Sequence, residues 1–311
     1  MPVIVKKKNL NEEVHRSPAK SIWLGIGSAM ASALIFGFNP LFVKIASSGG
    51  CNDIAFIFYS TIVSIIILMV LMWRLHIPLL PEKKKIMPIL ITGLFASITT
   101  ILLFSSYSFV ASGIATTLHF TYPTFVAVGG IFVLRERLTK GKVAALIISL
   151  AGIYLAADFA GMTSLTGIML ALCSGMTYAG YILAMDKTGV KNMNFIQLSF
   201  YMVVIKMVMS GIYGVCTGTL NAHMNTSAWT ITVVYSILNI AAMVLFQVGV
   251  RYSGSSNAAI FSMFEPVTSL IVGFVIMHEA MTLLKWLGCG LILSGIVVTV
   301  IEERKNTGAV A

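Results

Sequence analysis

Ten apolar runs follow one another along the chain, and each is about as long as the ~20 residues that a helix needs to cross a bilayer. Such runs cannot be lipid-exposed strands, because hydrocarbon offers the backbone no hydrogen-bonding partner outside the segment. The sequence therefore predicts an all-α integral membrane protein of ten transmembrane helices. We expect the first run to be retained, because it is too long for a signal peptide. The runs cover approximately residues 21–47, 53–74, 86–108, 112–134, 141–158, 165–186, 194–217, 227–251, 254–278 and 282–301.

The composition excludes soluble classes of protein. Hydrophobic residues make up 58% of the 311 residues and charged residues only 10%, against about 25% charged residues in a typical soluble domain. So few charges cannot cover a soluble globule of this size. The net charge of +10 does not indicate a nucleic-acid partner, because the basic residues lie between apolar runs and not in a stripe with aromatics. A cytosolic enzyme, a nucleic-acid-binding protein and a disordered scaffold are all poor fits.

The 21 lysines and arginines predict the orientation, since basic loops stay on the cytoplasmic side. With the N-terminus inside, 18 of the 21 are cytoplasmic, Lys285 lies in an outside loop, and Lys44 and Lys206 fall within spans. We therefore expect a multi-pass protein of the cell inner (plasma) membrane with both termini cytoplasmic. The eighteen are Lys6, Lys7, Lys8, Arg16, Lys20, Arg74, Lys83, Lys84, Lys85, Arg135, Arg137, Lys140, Lys142, Lys187, Lys191, Arg251, Arg304 and Lys305.

Residues 113–156 recur without a gap 143 positions later. Each half then holds five spans, an odd number, so the second half must enter the membrane upside down. The loop at 135–142 carries four basic residues, whereas its counterpart at 278–285 keeps only Lys285, as opposite orientations require. Inverted repeats are typical of secondary transporters, whose substrate site lies near the midplane. The matching positions include Ala115 and Ala258, Pro123 and Pro266, Glu136 and Glu279, Thr139 and Thr282, Lys142 and Lys285, and Gly152 and Gly295.

Two copies of one motif carry a family resemblance. Tyr122-Pro123 is followed by Glu136-Arg137-Leu138-Thr139, and Glu265-Pro266 is followed by Glu279-Ala280-Met281-Thr282. With this pattern the chain resembles the ten-helix EamA-type branch of the drug/metabolite transporter superfamily over roughly residues 20–302. The resemblance implies export or exchange of small metabolites, often amino acids, without ATP. It also implies a central cavity built mainly from helices 1, 3, 4, 6, 8 and 9.

The expected organisation follows from the repeat. Residues 1–20 form a cytoplasmic segment, 21–158 the first repeat with helices 1–5, 165–302 the second repeat with helices 6–10, and 303–311 a cytoplasmic tail. The four cysteines show no metal-ligand spacing, and no nucleotide-binding loop is present. We therefore expect no cofactor and no metal. The oligomeric state stays open between monomer and homodimer.

Glu265 is the one acidic residue deep within a span, in the ninth run. A charge at the centre of a membrane helix costs about 2.5–3.5 kcal/mol on insertion scales, so a functional role is the first hypothesis. The alternative is a protonated side chain that only bonds across helices. Pro266 follows directly, and Pro123 and Pro40 interrupt the fourth and first runs. Interrupted helices in corresponding positions point to a transporter's binding site.

Two further titratable residues lie within spans. His119, one turn before Pro123, could carry protons or bind a carboxylate, or could be a neutral histidine that donates to a backbone carbonyl. Lys206 lies on a polar stripe of the seventh run, where it could pair with Glu265 or a substrate carboxylate, or snorkel to an interface. Because the resemblance implies a cavity without helix 7, Lys206 ranks second. Lys44 is expected to snorkel.

Large polar side chains deep in a span need partners, which makes four more residues candidates for substrate binding. They are Asn39, Tyr178, Tyr181 and Gln247. The sequence as a whole predicts a metabolite transporter, foremost an amino-acid exporter working by alternating access, with Glu265 and His119 coupling it to protons. Efflux of organic cations is the alternative, because a carboxylate beside aromatics suits them. An intramembrane enzyme is disfavoured, since neither a zinc motif nor paired mid-span aspartates occur.

Overall fold

The structure, a computed structural model, describes residues 18–110, 112–157, 164–220, 224–278 and 280–308. Most of the expected N-terminal segment, Glu279 and the end of the tail lie outside these ranges. Over the described residues the chain forms thirteen α-helices: α1 Pro18–Phe36, α2 Asn39–Ser48, α3 Asp53–Arg74, α4 Ile86–Ser106, α5 Ser112–His119, α6 Tyr122–Gly129, α7 Lys140–Ala156, α8 Leu165–Lys187, α9 Phe195–Thr217, α10 Thr226–Ser253, α11 Ser255–Ser262, α12 Phe264–Val275 and α13 Leu283–Gly308.

The helices make ten passes. Nine helical segments of the described chain are long and apolar enough to cross a membrane, and α7, with 17 residues, is the tenth helix. The protein is therefore an all-α, multi-pass membrane protein, as predicted. The last helix differs from the expectation, because α13 continues through the polar residues after 301 to Gly308. Glu302, Glu303, Arg304 and Lys305 are favourable helix formers, so the helix does not stop where the apolar run stops.

Three passes are broken, and a proline follows each break. Pro40 is the second residue of α2 and Pro123 the second of α6, while Pro266 is the third residue of α12. A proline in the first turn of a helix removes a backbone N–H that has no intrahelical partner anyway. The chain therefore ends one helix before each proline and begins another. Because proline supplies no N–H, the regular helical hydrogen-bond pattern is interrupted at each break, in the middle of the membrane.

The two halves pack around a pseudo-twofold axis. The first repeat contains α1 to α7 and the second α8 to α13. The repeat partners α3 and α9 pack on each other, as do α7 and α13, while α1 packs on α10 just as α8 packs on α4. Likewise α5 and α6 contact α8, and α11 and α12 contact α1. Each contact within this set has its symmetry mate, which is the arrangement that an inverted repeat of five passes predicts.

Close helix contact between α7 and α13 follows the same symmetry. A Cβ at Gly152 would lie 2.6 Å from the carbonyl oxygen of Gly288, and one at Gly295 would lie 2.7 Å from that of Ala145. Gly152 and Gly295 are partners at the 143-residue shift, and so are Ala145 and Gly288. Small residues let membrane helices approach this closely. The 143-residue shift found in the sequence therefore also relates the residues at which these two helices touch.

The passes define two faces. The connections between helices at residues 75–85, 135–139, 188–194 and 254 lie at the basic face. The connections at residues 49–52, 107–110 and 218–220 lie at the opposite face. The largest cluster of buried apolar side chains includes Val126, Ile182, Met185, Val250 and Phe261, which lie towards the basic face. The clusters towards the opposite face are smaller. The bundle is thus packed at the basic face and looser towards the other.

Candidate functional site

A cavity of about 180 Å³ lies among the passes, in the looser half of the membrane. The helices that enclose it contribute residues from their middles and from the parts towards the opposite face. It therefore reaches from the level of the helix breaks towards that face. Its lining residues are Phe36, Asn39, Val43, Ile57, Ser60, Thr61, Ser64, Thr99, Thr100, Leu103, Phe104, His119, Tyr122, Tyr178, Val203, Lys206, Tyr235, Asn239 and Glu265.

Glu265 lines this cavity from the second position of α12. The break at Met263 gives α12 a fresh N-terminus in the middle of the membrane, where the free N–H groups and the helix dipole favour a negative charge. Within the described chain its carboxylate has neither a hydrogen-bonding partner nor an ion-pair partner. Glu265 is thus a half-buried acid without a hydrogen-bonding or ion-pair partner among the residues that the structure describes.

Lys206 lines the same cavity, together with Val203 of α9. The cavity therefore takes walls from α3 and α9, the second and seventh passes, in addition to the six passes from which the resemblance implies that it is mainly built. Lys206 does not pair with Glu265, since these two residues form no ion pair within 4 Å. An amine and a carboxyl group thus face one small cavity without pairing directly.

The two charges break the internal symmetry of the site. Asn52 and Asn194 cap α3 and α9 in the same way, which aligns the two helices at a shift of 142 residues. At that shift Lys206 corresponds to Ser64, and at 143 Glu265 corresponds to Tyr122. All four line the cavity. Both charges therefore come from the second repeat, and the first repeat supplies neutral hydroxyl groups in their place.

His119 closes α5 just before the break and is held by one hydrogen bond. Its Nδ1 lies 2.9 Å from Ser174 Oγ, and that hydroxyl in turn donates to the carbonyl oxygen of Ala171 over 2.6 Å. A hydroxyl has one proton, so a Ser174 that donates to Ala171 can only accept from His119, and we infer that Nδ1 carries the hydrogen. In the neutral imidazole, Nε2 is then the nitrogen with the free lone pair.

The four large polar candidates separate into two pairs. Asn39 and Tyr178 line the cavity. Tyr181 and Gln247 do not. Tyr181 stacks on Phe246 and packs at a tilted angle on Tyr178, and fully buried Gln247 donates from Nε2 to Ser199 Oγ over 2.9 Å. Both lie in the packed half towards the basic face, where neighbouring side chains already surround them.

Several lining residues were not among the candidates. Tyr122, Tyr235 and Phe104 add aromatic walls, and Asn239 donates to the Tyr235 hydroxyl over 3.2 Å. Tyr122 immediately precedes the repeat's proline, and that position could have signalled it. The hydroxyls of α3 gave no such signal, because Ser60 and Thr61 donate to their own helix and look like packing residues. The described residues contain no group of three or more His, Cys, Asp or Glu that could hold a metal.

The basic face is closed by a group that we name the latch: Glu136, Asp186, Lys191, Ser255 and Ser256. Ser255 donates to Asp186 Oδ2 over 2.7 Å, Ser256 donates to Glu136, and Lys191 pairs with Asp186. The two serines begin α11, so two carboxylates from α8 and the end of the fourth pass meet a helix N-terminus, which favours negative charge. The latch joins both repeats on the side where the cavity is shut.

Comparison with known proteins places this architecture. The model of the EamA-like transporter family matches residues 23–157 and again 165–301, one match for each repeat. The chain belongs to the EamA-like transporter family. This membership agrees with the resemblance read from the motifs, and it makes the protein a membrane transporter of the drug/metabolite transporter superfamily.

Relatives of this EamA-like chain are transporters by name. It is 25% identical to the "Uncharacterized transporter YvbV" of Bacillus subtilis over 65% of this chain and 67% of that one. It is 24% identical to the "Uncharacterized transporter sll1319" of Synechocystis sp. over 68% of this chain and 65% of that one. The matches thus span about two thirds of each relative. One solved crystal structure shares the fold with a TM-score of 0.75 at 16% identity, over 93% of this chain and 99% of that one.

Proposed function

We propose that this EamA-like protein exports amino acids or closely related small metabolites by alternating access. The observation that carries the proposal is Glu265, an unpartnered carboxylate at a helix break inside a membrane cavity. An ammonium group is the natural partner for such a carboxylate. Asn39, which also has no partner within the described chain, adds an amide for a second polar contact. In this proposal Glu265, His119, Asn39 and Tyr178 bind the substrate.

The two states of the cycle follow from the pseudo-symmetry. The present conformation has its cavity in the half towards the opposite face and its latch closed at the basic face. In the alternate state the repeats exchange conformations and the cavity reaches the basic face. We further propose that the basic face is cytoplasmic and that the membrane is the plasma membrane, since basic loops stay inside. The cavity then faces outward, the state that releases an exported substrate.

Protons couple to transport through Glu265 and His119 in this proposal. A carboxylate binds a proton or an ammonium group but not both, so the two ligands exclude each other at Glu265. The binding site opens alternately to the two sides of the membrane, and it carries substrate in one direction and a proton in the other because it cannot hold both at once. This exchange is antiport. His119 Nε2 can accept a proton or a substrate N–H beside it. Entry of protons would then drive exit of the substrate.

Efflux of organic cations is the second candidate. Phe104, Tyr122, Tyr178 and Tyr235 surround the same cavity as Glu265, and aromatic faces with one carboxylate bind delocalised cations. Lys206 argues against this candidate, because a bound cation would leave the lysine charge without a counter-charge. Whether the protein transports amino acids or organic cations decides between the two candidates.

The test is counterflow of labelled amino acids in proteoliposomes, with and without an imposed pH gradient. We expect counterflow that accelerates with the gradient, and at least a tenfold slower rate in Glu265→Gln together with loss of the pH response. Glu82→Gln removes a carboxylate that is exposed in a loop and should transport normally. A Glu265→Gln protein with unchanged rate and unchanged pH dependence would remove Glu265 from the mechanism. Transport of organic cations without amino acids would favour the second candidate.

A further inference from the structure

The cavity carries two opposite charges that the proposed function does not yet use together. Glu265 projects from α12 and Lys206 from α9, both half-buried and both without a partner within the described residues. A buried lysine is costly unless its charge is compensated. Each of the three ion pairs found elsewhere in the described chain joins neighbouring groups at a face of the bundle. No such compensation reaches Lys206 from the residues that the structure describes.

The site is electrically balanced as a whole but not locally. Its net charge is zero when both groups are ionised, yet each charge stands alone on its own wall. A zwitterion that lies between the two walls compensates both, with its ammonium at Glu265 and its carboxylate at Lys206. A simple amine compensates only Glu265, and a simple acid only Lys206.

The internal repeat favours only one orientation of a zwitterion in the cavity. The partners of Lys206 and Glu265 in the first repeat are Ser64 and Tyr122, which are neutral and line the same cavity. A substrate therefore meets one positive and one negative wall, not a symmetric pair of each. Ser64 and Tyr122 can accept or donate hydrogen bonds, but neither offers a charge that would hold the substrate reversed.

We propose that Lys206 is the carboxylate-binding residue of this transporter and that, together with Glu265, it selects zwitterionic α-amino acids over amines. This inference rests on the proposed function and names the chemistry of its site. Phosphorylated compounds fit less well, because they carry more negative charge than one lysine can match and would meet the Glu265 carboxylate as well.

The experiment compares an α-amino acid with the amine that lacks its carboxylate, each measured by counterflow into proteoliposomes. We expect the wild-type protein to prefer the amino acid by tenfold or more. Lys206→Met should lose tenfold or more of the amino-acid rate while keeping the amine rate, and Lys206→Arg should restore part of the preference. Removing a charge from within the membrane favours folding, and melting in detergent checks that the variant is intact. Lys44→Met, which removes an exposed lysine outside the cavity, should leave the ratio unchanged.

The ratio of the two rates separates the outcomes. If wild-type protein moves amino acids and folded Lys206→Met keeps the wild-type ratio, or loses both rates equally, the role of Lys206 is wrong and the proposed function stands. If wild-type protein neither binds nor moves any α-amino acid, the proposed substrate class and this inference fail together.

Discussion

His119 shows how one hydrogen bond sets the chemistry of a residue. Ser174 accepts from Nδ1 because its own proton is committed to the Ala171 carbonyl. Ser174→Ala should therefore allow the hydrogen of neutral His119 to lie on either ring nitrogen. ¹⁵N NMR of labelled histidine should show a single Nδ1–H form in the wild type and a mixture of the two tautomers in the variant. We also expect a several-fold lower transport rate. Ser210→Ala, whose hydroxyl bonds only to its own helix at the Met207 carbonyl, is the control. A single unchanged tautomer in Ser174→Ala would contradict the assignment.

Cys51 gives a second prediction at this scale. It lies in the loop between α2 and α3, is 2% exposed, and burial, with the Asp53 charge adding to it, raises the pKa of its thiol to about 11. The thiolate is the reactive form, so at pH 7 only roughly one molecule in ten thousand is ready to react. We expect iodoacetamide to leave Cys51 largely unmodified in folded protein at pH 7, and to modify it after denaturation in detergent or as the pH rises towards 11. Rapid labelling at pH 7, measured by peptide mass spectrometry, would show that the loop is open.

The candidate site was only partly visible from the sequence, for reasons that differ by residue. Glu265 stood out because an acid in the middle of a span is rare. The sequence alone places Lys206 second, since a long side chain can reach an interface and nothing in the sequence tells which wall of the bundle it faces. Tyr181 and Gln247 have the same chemistry as Tyr178 and Asn39. Tyr181, however, lies three residues nearer the basic face than Tyr178, and Gln247 lies near the basic end of α10, where the packed half surrounds them. The position of a residue along its helix can be counted from the sequence, but how far the cavity reaches into the membrane cannot.

At the scale of the helices, the breaks were more predictable than the ends. Each proline marks the first turn of a new helix, because its ring and its missing N–H forbid the interior of the old one. Gly37, just before the first break, has a different role: a Cβ there would lie 3.0 Å from the Glu265 carbonyl oxygen. Gly175 packs likewise, with its Cβ position 2.9 Å from the His119 carbonyl oxygen. The pairing of each glycine with the break of the other repeat is a tertiary contact that no local pattern contains.

The contact of α7 with α13 leads to a prediction about stability. Gly152→Ala would place a methyl group 2.6 Å from a backbone carbonyl oxygen of α13, which neither helix can avoid by rotating a side chain. Overpacking of this kind costs about 1–3 kcal/mol, so we expect a lower melting temperature in detergent. Gly290→Ala in α13 is the matched control, because nothing lies within 4 Å of its Cβ position. It should melt at or above the wild-type temperature, since alanine favours helix more than glycine does. Equal melting of both variants would mean that the two helices are not in contact at Gly152.

The whole molecule combines symmetric packing with asymmetric closure. The helices pair about a pseudo-twofold axis, so the fold alone would allow the cavity to face either side with similar energy. The basic face, however, is shut by the latch, in which two carboxylates meet the start of α11. In the second repeat Asp186 lies in the last turn of α8. Gly175 corresponds to Gly37 at a shift of 138 residues, and at the same shift Asp186 corresponds to Ser48. The Ser48 hydroxyl donates to the Ile45 carbonyl oxygen within α2. The described part of the opposite face thus has no carboxylate equivalent to Asp186. The interactions of Asp186 therefore stabilise the conformation in which the basic face is closed more than the one in which the opposite face is closed.

Breaking the latch should therefore shift the molecule towards the alternate state. Asp186→Asn removes the ion pair with Lys191 and weakens the bond from Ser255, and hydrogen bonds to charged groups contribute about 1.5–3 kcal/mol each, or roughly ten- to a hundredfold in the equilibrium. The reporter is Ala259→Cys in a cysteine-free background, a fully buried position of α11 behind the latch. A membrane-impermeant thiol reagent on the basic face should label it tenfold faster or more in Asp186→Asn. Glu82→Gln breaks an exposed ion pair on the same face and should change nothing, because exposed pairs contribute little. Unchanged labelling in Asp186→Asn would mean that packing of the apolar core, and not the latch, keeps the basic face shut.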